Sequence, residues 1–209
     1  VEDPEPKFGL AIVGEVNPKN LLKNSEFREN DLVILTKKLG IGVITTAIKK
    51  QESTQEATEA AITSMLRLND QAAKIAIEVG ATGATDITGF GLLGHLGRAA
   101  QESKVNIEID VSEVPLLPDA RKLALAGNLP GGSQRNLEWI EDRVDASSVE
   151  DIDVHLLADA QTSGGLVFGV QPEKVETALK KLIETGHDAA VIGRMHSGSG
   201  LIRLSNREK

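Results

Sequence analysis

The chain has 209 residues, 40% of them hydrophobic, and a formal net charge of −8. That balance argues against a nucleic-acid partner, which would need clustered Lys and Arg, and no apolar run approaches the ~18–20 residues of a membrane span. There is no cysteine, one Trp, no Tyr and four Phe, so this chain holds no disulfide, thiolate metal site or cysteine nucleophile, and its core must be aliphatic.

Residues 1–7 are polar and include Pro4 and Pro6. Phe8 to Val16 reads as a strand apolar on both faces, ending at Asn17-Pro18. The polar connection that follows, through Asn24-Ser25-Glu26 to Asn30, marks a boundary. Residues 1–17 are therefore expected to be a strand left from another domain, and 18–209 the domain itself. An apolar strand without its sheet needs cover, by pairing with the same strand of a second copy or by lying on the domain that follows.

Asp31 to Thr36 predicts a buried strand, Lys37 to Gly40 a turn, and Ile41 to Ile48 a further strand or a short helix. Thr54 to Leu68 has helical spacing, with Thr54 as cap and Ala57, Ala61, Ile62, Met65 and Leu66 facing inward. Asp70 to Val79 predicts a second helix, stopped by Gly80. Ala81 to Thr85 reads as loop. Val105 to Ile109 alternates as a half-buried strand. Pro118 to Ala126 suits a short helix, Gly127 to Ser133 a loop, and Asp151 to Ala158 a helix. The turn Gln161-Thr162-Ser163-Gly164-Gly165 leads into a strand at Leu166 to Val170. Pro172 to Thr185 predicts an amphipathic helix with Val175, Ala178, Leu179, Leu182 and Ile183 inward. Ala189 to Met195 and Leu201 to Leu204 are the last strands. Helices and strands alternate without strict βαβ order, so the expected class is α/β or α+β, a mixed sheet packed with helices.

The chemistry centres on Asp86-Ile87-Thr88-Gly89-Phe90-Gly91-Leu92-Leu93-Gly94-His95-Leu96. Phe90, Leu92, Leu93, Leu96, Ala99 and Ala100 share one side of a helical period. Asp86 or Thr88 is the candidate cap. A helix beginning among these glycines points free N–H groups and its positive dipole end outward, which suits phosphate. Asp86 would repel a phosphate unless a cation lay between them, and carboxylate plus phosphate is how Mg²⁺ is usually held. Two readings of Asp86 stand open, helix cap and metal ligand. His95 reads as a structural helical histidine.

Gly89-Phe90-Gly91-Leu92-Leu93-Gly94 fits the dinucleotide pattern G-x-G-x-x-G, and Asp110 lies about 20 residues on, where an acidic ribose ligand belongs. The hydrophobic strand that should enter such a motif is missing from Ala81 to Asp86, so that reading is set aside. No P-loop pattern occurs. Gly164-Gly165 with Thr162 and Ser163, and Gly131-Gly132-Ser133 with Asn136, have turn chemistry first and phosphate contacts only as a second reading.

Taken in order, these pieces resemble the selenophosphate synthetase (selenide, water dikinase) family. The likeness begins at Asp3-Pro4-Glu5-Pro6-Lys7-Phe8-Gly9-Leu10-Ala11 and continues through Leu35-Thr36-Lys37 and Leu39-Gly40. It is densest from Thr85 to Leu96. Pro130-Gly131-Gly132-Ser133 with Asn136 follows, then Asp159 and Gln161-Thr162-Ser163-Gly164-Gly165-Leu166. Ala160 stands where the family often has proline, and a local backbone effect is expected.

The resemblance implies a fold like the C-terminal domain of aminoimidazole ribonucleotide synthetase, shared with thiamine-monophosphate kinase and the hydrogenase maturation factor. It covers the family's C-terminal domain and the strand leading into it. The N-terminal half, with its reactive Cys or selenocysteine and essential Lys, has no counterpart here. In the family, selenide, ATP and water yield selenophosphate, AMP and phosphate, with ATP and Mg²⁺ between the two domains of a homodimeric, cytoplasmic enzyme. Asp86 matches the aspartate of this domain that ligates Mg²⁺, and Thr88, Gly89 and Gly91 would face the nucleotide phosphates. No residue of this chain is expected to be catalytic by itself, and the chain alone is expected to be inactive. The alternatives are a non-catalytic interaction module and a related ATP-binding enzyme with another substrate.

Overall fold

The computed structural model describes Ala11 and residues 13–206. Among them are seven strands: β1 Leu32–Leu35, β2 Ala84–Asp86, β3 Val105–Asp110, β4 Val144–Asp145, β5 Leu166–Val170, β6 Ala190–Ser197 and β7 Ile202–Ser205. They form one sheet in the order β2-β5-β1-β6-β3-β7-β4. Pairing is antiparallel from β2 across to β3 and parallel for β3–β7 and β7–β4. The eight α-helices are α1 Ile41–Lys49, α2 Gln55–Leu66, α3 Asp70–Val79, α4 Gly91–Ser103, α5 Ala120–Leu125, α6 Gly131–Ile140, α7 Asp151–Leu157 and α8 Pro172–Glu184. This is the mixed sheet with packed helices that the pattern predicts. None of these helices is long and apolar enough to cross a membrane.

The central strand β1 is apolar throughout because both of its faces are covered. Val33 and Leu35 pack with Leu92, Leu93 and Leu96 of α4. Ile34, paired in register with Phe168 of β5, packs with Ala72, Ile75 and Ala76 of α3 and with Leu182 of α8. Burying each such side chain contributes about 1.5–3 kcal/mol. A third apolar cluster joins α1, α2, α5 and α7 beside the sheet.

Several expectations are corrected. Of the predicted strand Phe8 to Val16, residues 8–10 and 12 lie outside the described residues, and Ala11 and residues 13–16 are exposed and in no sheet. Of the two readings of Ile41 to Ile48, the helix is the one found, as α1. Residues 84–86 form the edge strand β2, a short antiparallel partner of β5 and so no entry to a dinucleotide fold. Residues 131–140 are helix α6 despite two leading glycines, because Ser133, Asn136 and Ile140 bury one face. Ile62 and Leu66 of α2 and Ile183 of α8 face outward, and each buried stripe is narrower, carried by Ala57 and Ala61 or by Ala178 and Leu182. Thr54 does cap α2, accepting from the Ala57 amide at 3.2 Å.

Candidate functional site

The two glycine-rich segments meet. Strands β2 and β5 are neighbours, so the chain leaving β2 at Asp86 runs beside the chain entering β5 at Leu166. The Ile87 amide donates to the Gly165 carbonyl at 2.9 Å, and the Gln161 amide to the Thr88 carbonyl at 3.0 Å. A Cβ on Gly164 would stand 2.2 Å from the Ile87 carbonyl oxygen, so only glycine fits there. Gly91 has φ +69°, and a Cβ on it would stand 2.6 Å from the Ala158 carbonyl group at the end of α7. Asn136 of α6 closes the third side, donating through Nδ2 to the Gly89 carbonyl at 2.8 Å and to the Ala158 carbonyl at 3.1 Å.

Neither candidate cap of α4 acts as one. The cap position is Phe90, and no side chain accepts from the first turn. The Thr88 hydroxyl lies 2.9 Å from His95 Nε2 instead. The Asp86 side chain is exposed at the end of β2 and makes no hydrogen bond or ion pair among the described residues. Phe90, expected on the buried face, is 59% exposed and lies against Trp139 and His95 with ring centroids 5.9 Å apart in each pair. What reaches solvent is therefore a free carboxylate at Asp86 and the backbone at Gly89 and Phe90 that leads into the uncapped helix, whose residues Gly91 to Gly94 are buried. Such an arrangement attracts a cation and an oxyanion together.

The other motif residues are already engaged inside the protein. Helix α1 starts at Gly40, which has φ +118° and no side chain to cap with. The cap arrives from the far end of the sequence. One carboxylate oxygen of Asp159 accepts from the Gly42 amide at 2.9 Å and the Val43 amide at 3.3 Å, and Gln161 Oε1 accepts from the Ile41 amide at 3.3 Å. The Ser133 hydroxyl and Gln161 Nε2 also donate to that carboxylate, at 3.2 and 3.0 Å. Lys37 is buried and donates through Nζ to the carbonyls of Ser64, Arg67 and Ser163 at 3.1, 2.7 and 2.8 Å. It satisfies the last carbonyls of α2 and ties them to the second glycine turn. Desolvation holds its pKa below the usual lysine range, with the Arg67 charge adding to the effect. The Ser163 hydroxyl donates to the Met65 carbonyl at 2.8 Å. Ser133, Asn136, Gln161 and Ser163 are thus held by hydrogen bonds within the protein. Asp110, the would-be ribose ligand, accepts from the Ser112 amide and hydroxyl at the end of β3.

Burial pushes the Asp159 pKa up to about 6, against the hydrogen bonds from Val43, Gln161, Ser133 and Gly42, which lower it. A carboxyl raised in the folded state contributes stability that is full below its unfolded pKa and is lost as the pH rises through the folded value. In Asp159→Asn that titration is gone. The deficit in unfolding free energy of Asp159→Asn relative to wild type is expected to narrow by about 1–2 kcal/mol between roughly pH 5 and 7.5. Urea unfolding of both proteins at the two pH values measures it, and a constant deficit contradicts the assignment.

The sequence profile of the AIR synthase related protein C-terminal domain matches residues 28–203. A selenide, water dikinase of Caldanaerobacter subterraneus subsp. tengcongensis is 44% identical over 93% of this chain and 57% of its own length. That of Carboxydothermus hydrogenoformans is 41% identical over 97% of this chain and 59% of its own. The chain thus spans little more than half the length of these curated relatives. Among solved structures, hydrogenase maturation protein HypE in complex with ATP superposes with a TM-score of 0.60 at 17% identity, covering 91% of this chain and 52% of that one. Thiamine-monophosphate kinase from Stenotrophomonas maltophilia gives 0.58 at 15%, covering 88% and 52%. These two likenesses establish the fold alone.

Proposed function

Because this chain belongs to the family of AIR synthase related protein C-terminal domains, we propose that it is the C-terminal domain of a selenophosphate synthetase, which makes selenophosphate, AMP and phosphate from selenide, ATP and water. The observation that carries the reading is the unpartnered Asp86 carboxylate beside the uncapped start of α4. The identity of 44% to a selenide, water dikinase supports this substrate over those of the HypE and thiamine-monophosphate kinase neighbours, which are 15–17% identical. Residues 1–17 would then belong to the N-terminal half of the enzyme. The homodimer and the cytoplasmic location follow from the resemblance.

The donors present fit magnesium. Mg²⁺ takes hard oxygen ligands, typically one or two carboxylates with substrate phosphates and water. Asp86 offers one such carboxylate with no competing partner. No group of three or more acidic or histidine side chains able to hold a metal occurs among the described residues, so Asp86 would supply one ligand and the other half of the enzyme the rest. Bound there, the ion would neutralise phosphate charge during transfer. The backbone at the exposed residues Gly89 and Phe90, just ahead of α4, would receive phosphate oxygens, while the Gly91 amide already donates to the Thr88 carbonyl at 3.0 Å. The Thr88 hydroxyl faces His95, so toward a ligand Thr88 presents oxygen lone pairs. None of these groups moves a proton. The domain contributes position and charge.

The test is selenide-dependent formation of AMP. The full-length enzyme is expected to show it, and this chain alone is expected to show none, since it has no thiol. Turnover by the purified chain, free of longer protein, contradicts the division of labour. A full-length enzyme that releases ADP and ignores selenide contradicts the substrate.

A further inference from the structure

We infer that His95 is the positioning residue of the Asp86–Gly91 turn, a neutral imidazole in the second turn of α4 that reaches back to lock Thr88. This rests on the reading of the turn as a magnesium and phosphate site. The geometry is specific. His95 Nε2 lies 3.1 Å from the Thr88 amide nitrogen and 2.9 Å from the Thr88 hydroxyl. An amide nitrogen can only donate, so Nε2 carries no proton and the ring's single proton sits on Nδ1. The hydroxyl then donates to the same lone pair. The Thr88 carbonyl accepts from the Gly91 amide at 3.0 Å and from the Gln161 amide at 3.0 Å. Every polar group of Thr88 is thereby fixed, two of them by His95 alone.

This lock takes the place of the absent helix cap. In an ordinary N-terminus a side chain before the helix accepts from amides within it. Here a side chain within the helix accepts from an amide before it. The consequence is that the first turn of α4 stays uncapped while the loop ahead of it is held. Asp86 lies two residues upstream of the held amide and Gly89 one residue downstream. Burial holds the His95 pKa below the usual histidine range, with the Asp86 charge working the other way, which agrees with a neutral acceptor ring. Phe90 packs edge-on against the same ring, with centroids 5.9 Å apart.

The test uses the full 209-residue chain, labelled with nitrogen-15. Nuclear magnetic resonance of the His95 ring is expected to show a bare Nε2 and a protonated Nδ1. In His95→Phe the Thr88 amide is expected to exchange with solvent about tenfold faster or more, and in His95→Gln, whose side-chain oxygen reaches the same place, to stay within about threefold of wild type. If His95→Phe does not fold, His95→Asn replaces it: its shorter amide cannot reach Thr88, and protection is expected to be lost. A protonated Nε2, or Thr88 protection unchanged in the Phe or Asn variant, overturns the inference. Magnesium–ATP added to the full-length enzyme carrying the same substitutions and label judges the ligand side, since the rest of the ligand set would lie in its other half. Shifts at residues 86–91 whose midpoint weakens about tenfold in His95→Phe but not in His95→Gln support positioning, and equal midpoints in all three overturn it. No shift even in wild type counts against the proposed nucleotide site, while the exchange rates still decide the His95–Thr88 lock.

Discussion

Asp86→Asn in the full-length enzyme is expected to lower magnesium-dependent turnover by about 10²-fold or more, while the unfolding midpoint moves by no more than about 2 °C. The two halves of this expectation have separate causes. Stability should hold because the Asp86 side chain is exposed and bonded to nothing, so asparagine removes no contact. Turnover should fall because the amide has the carboxylate's shape without its charge, and a hard divalent cation is held chiefly by charge. AMP formation across a magnesium titration, together with a thermal melt, measures both. A lower midpoint with normal turnover would mean that Asp86 supports the fold and nothing else.

Gly164→Ala is expected to destabilise the domain by more than about 4 kcal/mol, near the limit for a single substitution. The added methyl would stand 2.2 Å from the Ile87 carbonyl oxygen and 3.0 Å from Gln161 Cβ, inside the buried seam between the two glycine segments. A backbone oxygen cannot move aside as a flexible side chain can, so the seam must open and break the Ile87 to Gly165 hydrogen bond. Gly89→Ala is the control. Nothing lies within 4 Å of its Cβ position, and a change below about 1 kcal/mol is expected. Urea unfolding of the two variants reads the contrast. Similar losses at both positions would show that the seam is not where the strain falls.

The sequence makes much of this legible. Helix α3 and strand β5 fall at the predicted residues, since an amphipathic run ended by glycine and an apolar run after a turn are local signals. Helix α6 is hidden because glycines and a proline at its start look like loop, and what stabilises it is the burial of Ser133, Asn136 and Ile140 against distant residues. The same limit applies at the site. Asp86 is singled out by its neighbours in sequence. The cap that Asp159 gives α1 spans 117 residues, and no local pattern announces it. His95 could have been found: a histidine seven residues after a threonine, across a helix start, is close enough to reach back, but the spacing alone does not separate that from packing. Phe90 is misplaced for a related reason. It sits one residue before the helix begins, so the helical period does not govern it.

The measurement that bears most directly on the account is a crystal structure of the full-length enzyme with Mn²⁺ in place of Mg²⁺ and a non-hydrolysable ATP analogue, with the ion located by its anomalous scattering. An ion is expected at about 2.0–2.3 Å from an Asp86 carboxylate oxygen, bridged to phosphate, with phosphate oxygens on the exposed backbone at Gly89 and Phe90. A fully ligated nucleotide and its ions bound elsewhere, with Asp86 still facing water, would contradict it.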